Sequence, residues 1–272
     1  MVSYLGSAFS SHDESAVPRG PSAGGGPAPA PVSGPGAVLD LTDVACGSAD
    51  APRDAPGVNL HVPGGQCVAL ICRPAAAASD LIDTVAGLRR PTAGQVSVDG
   101  VQVHMLRGHD MDRYRADRGL VSMRFPLLGS LSVTDNVLVT LQSRRADSAA
   151  RDRAARLLAF AGSAQSAGEP VETLTADLQW RILIARALMP SPRLVLAEDP
   201  APSLDPDSAI TILDLLLHAH AVFGFTLLLS SGSVATASRC QRLVRVAGGA
   251  VVEDVLIGGD DGWTRGRVDR IG

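Results

Sequence analysis

Val68-Ala69-Leu70-Ile71-Cys72-Arg73-Pro74-Ala75-Ala76-Ala77-Ala78-Ser79-Asp80, running on to Ala86-Gly87-Leu88, is the stretch that decides the fold. Cys67 to Ile71 is a continuous apolar run, as a central parallel strand buried on both faces requires. A short loop and a helix follow. Outward from there, Val38-Leu39-Asp40-Leu41 and Val58-Asn59-Leu60-His61-Val62 alternate as half-buried strands. Gln95 to Gly100 alternates and then turns. Ala146 to Gly162 and Ala176 to Met189 carry apolar residues at helical spacing. Leu194 to Ala197 and Phe225 to Leu229 read as further buried strands, with a helix from Ser208 to Ala221 between them. Leu243 to Val246 and Val251-Val252 close the pattern with short strands. Strands alternating with helices predict an α/β domain with a mostly parallel sheet.

The chain has 272 residues, 46% of them hydrophobic, enough for a sizeable core. Its formal net charge of −4 implies no nucleic-acid preference. No apolar run reaches the length of a membrane span, and the start, Met1-Val2-Ser3-Tyr4-Leu5, lacks a signal-peptide pattern. Cys46, Cys67, Cys72 and Cys240 show no metal spacing, so a reduced, intracellular protein is expected. Residues 1–37 are rich in Gly, Pro, Ser and Ala and read as a disordered leader. Residues 38–257 form the expected domain and 258–272 an irregular tail.

From about Val38 to Val255 the residues resemble the ATP-binding subunit of an ABC transporter. Gly57-Val58-Asn59-Leu60 before Pro63-Gly64-Gly65-Gln66 matches the strand-turn-strand ahead of that family's phosphate loop. Ala86-Gly87-Leu88-Arg89-Arg90-Pro91-Thr92-Ala93-Gly94-Gln95-Val96 follows the family's run after it. Ile184 to Leu188, Leu194 to Ala197, and Ser203-Leu204-Asp205 match the signature helix, the next strand and the D-loop. Asp112 to Val121, Leu127-Leu128 and Leu131 to Val137 are similar to ATPases paired with lipoprotein-release and macrolide-export permeases. The resemblance implies an α/β fold with a P-loop NTPase-like (RecA-like) core. It adds an antiparallel β subdomain and an α-helical subdomain at about 125–190. It further implies ATP and magnesium as the family's ligands, with a membrane permease and a second cassette subunit as partners. The implied location is cytoplasmic, on the inner face of the cell membrane.

Position by position, the nucleotide contacts that the resemblance implies are altered. The phosphate loop should carry glycines that let consecutive N–H groups converge on an anion at a helix N-terminus, and a lysine that reaches the outer phosphates. Here it reads Cys72 to Asp80, with Ala75, Ala76, Ala77 and Ala78 after Pro74. Ala78 stands in the lysine's place, and the chain contains no lysine: all 24 basic residues are arginines. Alanine is the strongest helix former and proline suits a first helical turn, so the helix is expected to start near Pro74 without an open nest. Asp80 adds a negative charge, and two unit charges 4 Å apart interact by about 4 kcal/mol at an effective dielectric near 20. Ser79 keeps the magnesium-ligand type. Met123 aligns with the glutamine that bridges magnesium and permease, and Gly232 with the histidine that contacts the γ-phosphate.

The acidic pair is reversed. Glu198 stands at the magnesium-binding aspartate and Asp199 at the water-polarising glutamate, so each carboxylate is displaced by one methylene. The signature becomes Leu174-Thr175-Ala176-Asp177-Leu178, where Thr175 is expected to cap its helix and Asp177 to repel a phosphate. No Phe, Tyr or Trp occurs between Leu39 and Gln66 to stack on adenine. The expectation is a catalytically degenerate cassette that docks a permease through Phe125 to Val137. The alternative is an active ATPase with atypical motifs that energises export.

Overall fold

The computed structural model describes residues 36–45, 56–141, 147–199 and 204–257. Most of the leader assigned to 1–37, the tail assigned to 258–272, Cys46 and Ser203 lie outside the described residues. Gly36 and Ala37 lie inside them. Ala37 is fully buried and its N–H bonds the Arg193 carbonyl at 2.8 Å, so the packed chain begins no later than Gly36.

The strands are β1 (Leu39–Ala45), β2 (Val58–Val62), β3 (Cys67–Arg73), β4 (Ala93–Val98), β5 (Val101–Gln102), β6 (Gly119–Val121), β7 (Leu194–Glu198), β8 (Thr226–Ser230), β9 (Arg242–Ala247) and β10 (Ala250–Leu256). The helices are α1 (Ala76–Val85), α2 (Gly108–Ala116), α3 (Val133–Leu138), α4 (Ser148–Phe160), α5 (Ala176–Leu188), α6 (Pro206–Phe223) and α7 (Val234–Ala237), with short 3-10 turns between some of them. One sheet has the order β2-β1-β4-β5 and is antiparallel throughout. The other has the order β10-β9-β3-β8-β7-β6, parallel except for the edge strand β10. This is the expected α/β architecture, a P-loop NTPase-like core with an added antiparallel sheet and a helical region.

The central strands read as unbroken apolar runs because helices or a second sheet cover both faces. Their side chains still alternate between two cores. Cys67, Ala69 and Ile71 of β3 join Val195, Ala197, Leu227 and Leu229 on the face covered by α3 to α6. Val68, Leu70 and Cys72 join Leu194, Leu196 and Leu228 on the face covered by α1 and the antiparallel sheet. Burying one such Leu or Val side chain stabilises by about 1.5–3 kcal/mol, so these two cores fix where the end of β3 meets α1. Cys67, Cys72 and Cys240 are buried and free of disulfides.

Local chemistry sets the ends of α6. Asp205 at its N-cap accepts the Ser208 N–H at 3.0 Å, and Pro206 opens the first turn. Gly224 ends it with a left-handed φ of 68°, where a side chain would cost strain. The buried Tyr114 of α2 donates to the Val85 carbonyl at 2.6 Å and so ties α2 to α1. Burial pushes its phenol up to about 12. The sequence patterns assign no element to α2, α3, α7, β5 or β6. All five are short and lack a long periodic run.

Candidate functional site

The carboxyl ends of β3, β7 and β8 bring together the altered positions of the phosphate loop, the acidic pair and Gly232. β3 runs to Arg73, and α1 starts at Ala76 after Pro74 and Ala75. Ala75 already has helical angles, φ −59° and ψ −33°. The Ala77 N–H donates to the Pro74 carbonyl at 3.1 Å and the Ala78 N–H to the Ala75 carbonyl at 3.0 Å. Those two amides are therefore spent inside the first turn rather than aimed at a common point. Ala78 faces inward, 7% exposed, among Val68, Leu81 and Leu196. Arg73 is exposed.

Two charges behave differently from the sequence reading. Asp80 was expected to confront any anion with an uncompensated charge, but it is ion-paired with Arg89, from the turn after α1. Asp177 is likewise paired with Arg181 one turn along α5, at 2.9 Å. The repulsion assigned to each is offset by its own cation. Thr175 occupies the N-cap of α5, but its hydroxyl makes no capping hydrogen bond. The Gln179 side chain instead donates to the Leu174 carbonyl at 3.0 Å.

The acidic pair is engaged from several sides. Glu198 accepts from Ser79 Oγ at 3.1 Å and from Arg124 Nε at 2.7 Å, both on Oε1. Its Oε2 accepts from Ser122 Oγ in a short hydrogen bond. The Arg124 guanidinium turns its other edge to Asp83 of α1, with bonds of 3.0 and 2.8 Å. The hydrogen bonds to Asp83 outweigh the cost of partial burial and, with the Glu198 charge, hold the guanidinium pKa above its ordinary value. Asp199 accepts from Ser231 Oγ at 2.5 Å. Gly232, next in the chain after Ser231, is exposed, and a Cβ there would meet nothing within 4 Å.

Sequence reasoning named Ser79, Glu198, Asp199 and Gly232 here but missed Ser122, Arg124 and Asp83. Arg124 follows Met123, and Asp83 lies one helical turn beyond Ser79. An arginine beside the altered glutamine position, facing an i,i+4 Ser/Asp pair, was the available signal. Met123 itself packs against the core beneath α3 to α6. The other named positions stand elsewhere. Leu174 to Leu178 lead into α5, which packs on α3, α4, α6 and β6. Leu204 packs on the same core and Asp205 caps α6.

Magnesium would need free oxygen ligands in near-octahedral array. Both Glu198 oxygens are occupied, one by a guanidinium. Among the described residues no group of three or more His, Cys, Asp or Glu side chains could hold a metal. The residues present do not fit the ion.

The comparisons with known proteins agree with this fold. The sequence profile of the ABC transporter family matches residues 56–202. The chain is an ABC transporter ATP-binding cassette. It is 34% identical over 207 residues to the phosphonates import ATP-binding protein PhnC of Rhizobium etli, covering 72% of this chain and 74% of that one. It is 35% identical over 198 residues to the methionine import ATP-binding protein MetN of Symbiobacterium thermophilum, covering 72% of the cassette and 60% of that protein. Among solved structures it superposes on the dimeric bacterial ABC transporter cassette MJ0796 with a TM-score of 0.71 and 25% identity. That match covers 81% of the cassette and 99% of the solved chain. Among the described residues no helix is long and apolar enough to cross a membrane.

Proposed function

We propose that this cassette is a pseudo-ATPase subunit: it docks on a membrane permease and pairs with a second cassette without turning over ATP itself. The observation that carries the reading is the closure of the site by its own side chains. Glu198 is satisfied by Ser79, Ser122 and Arg124, while the first turn of α1 consumes amides that a phosphate would need. Ala78, Met123 and Gly232 remove the lysine, glutamine and histidine functions, and Asp199 is too short to stand in for glutamate. The framework supports a docking role, because its strands and helices still build both buried cores while the ligand positions have changed. Phe125, 36% exposed, and Leu128, 48% exposed, support Phe125 to Val137 as the permease-facing segment. Ser203 to Asp205 would face the second cassette. Such a subunit would sit in the cytoplasm against the inner face of the membrane.

An import-type permease is favoured over the export-type partner suggested by residues 112–137. The import relatives align over 72% of the chain, whereas the export likeness rests on short segments. Co-purification from native membranes tests the reading. Recovery with a permease and a catalytically intact second cassette is expected. A protein recovered only as a soluble monomer, even at low salt, would remove it.

A further inference from the structure

Arg124 lies on the loop between β6 and α3, and its guanidinium is held by two different elements. Nε bonds Glu198 at the end of β7, and the two terminal nitrogens bond Asp83 on α1. Ser79 and Ser122 complete the ring of oxygens around Glu198. The same loop is held from its other side by Arg186 of α5, which donates to the Phe125 carbonyl at 2.5 Å and the Pro126 carbonyl at 3.0 Å. A carboxylate on β7 and a carboxylate on α1 thus share one positive group carried by the chain itself, while the two serine hydroxyls bond the first of those carboxylates. A planar, permanently charged fork suits this position because it bonds two carboxylates at once, where an ammonium acts as a point charge.

We propose that the Arg124 guanidinium is a resident cation. It takes the place between Ser79, Asp83 and Glu198 that a divalent ion would otherwise fill, and it pins the Ser122–Pro126 loop to the core without any ligand. The inference rests on the reading of the site as closed to magnesium, but it asks a separate question. The closed-site reading concerns nucleotide on the unmodified protein. Here the question is what neutralises Glu198 and Asp83.

The test uses Mn²⁺ alone, without nucleotide, on the full chain and on Arg124→Met, followed by electron paramagnetic resonance and thermal melting at matched ionic strength. The unmodified protein should leave the free Mn²⁺ signal unchanged and melt at the same temperature with or without the ion. Arg124→Met should melt about 3 °C lower or more. It should also bind Mn²⁺, seen as a saturable loss of the free-ion signal that the unmodified protein does not show, since affinity follows the ligand charge left unpaired. Mn²⁺ should then recover part of the lost melting temperature, and Glu198→Gln in the same background should abolish both effects. Mn²⁺ binding by the unmodified protein that Glu198→Gln removes would overturn the proposal. So would a folded Arg124→Met that binds no Mn²⁺. If Arg124→Met does not fold, Arg124→Lys serves instead. It should melt lower than the unmodified protein and still exclude Mn²⁺, and a Lys variant that binds Mn²⁺ or melts unchanged counts against the proposal. ATP binding by the unmodified protein would sink the closed-site reading, while this Mn²⁺ result would still be decided on its own.

Discussion

Ala77→Gly distinguishes a helical first turn from a phosphate nest, because the two predict opposite signs. In a nest, glycine supplies backbone angles that a Cβ resists, and the substitution would be neutral or favourable. Here the Ala77 N–H closes a turn onto Pro74, and the methyl packs against the core under α1. Glycine in a helix costs about 1 kcal/mol relative to alanine. Loss of a half-buried methyl adds about 0.4 kcal/mol, half of the value for a fully buried carbon. The expected destabilisation is therefore about 1.4 kcal/mol, which for a domain of this size lowers Tm by about 3–6 °C. Ala75 is exposed and sits at the N-cap of α1, where glycine is favoured over alanine, so adding Ala75→Gly to Ala77→Gly should leave the cost at about 1.4 kcal/mol or less. Urea denaturation of the three proteins, with equal slopes, gives these differences from the midpoints. An Ala77→Gly protein as stable as the parent, or more so, would refute the helical reading of the loop.

Restoring the lysine alone should not restore ATP binding. Ala78 is 7% exposed within the core under α1, so Ala78→Lys must distort the turn or bury an ammonium. A loss of about 1–3 kcal/mol is expected from overpacking, seen as an earlier urea midpoint with no fluorescent-nucleotide signal. His220 gives a pH signature. Burial lowers its pKa against the raising effect of its hydrogen bond to the Gly65 carbonyl at 3.0 Å. A base whose folded pKa is depressed leaves the unfolded chain binding more protons. Stability is then full above the ordinary histidine value of about 6.5 and declines as pH falls below it. Urea midpoints measured from pH 7 downward should fall for the parent and fall less steeply for His220→Gln.

Much of the architecture was legible because long buried strands and amphipathic helices leave strong patterns. β2 spans the residues read for it, and β3, β7, β8, α4, α5 and α6 differ from their readings only by a few residues at the ends. α2 and α3 were not assigned from periodicity, since a helix of nine or six residues presents too few turns. At the site, the resemblance found the positions but not the partners. Asp80 and Asp177 read as bare charges because Arg89 and Arg181 are brought to them by backbone geometry, through a turn after α1 and a helical i,i+4 step. The link from Arg124 to Asp83 and Glu198 spans 41 and 74 residues, and only the folded sheet makes it visible.

Equilibrium titration of the purified protein with magnesium and ATP, followed by calorimetry, bears most directly on the central claim. A closed site predicts no saturable heat up to millimolar nucleotide, and no hydrolysis above background in the same samples. Saturable micromolar binding that is lost in Glu198→Ala or Asp199→Ala would contradict it, because nucleotide would then be held by the carboxylates that this structure shows satisfied from within.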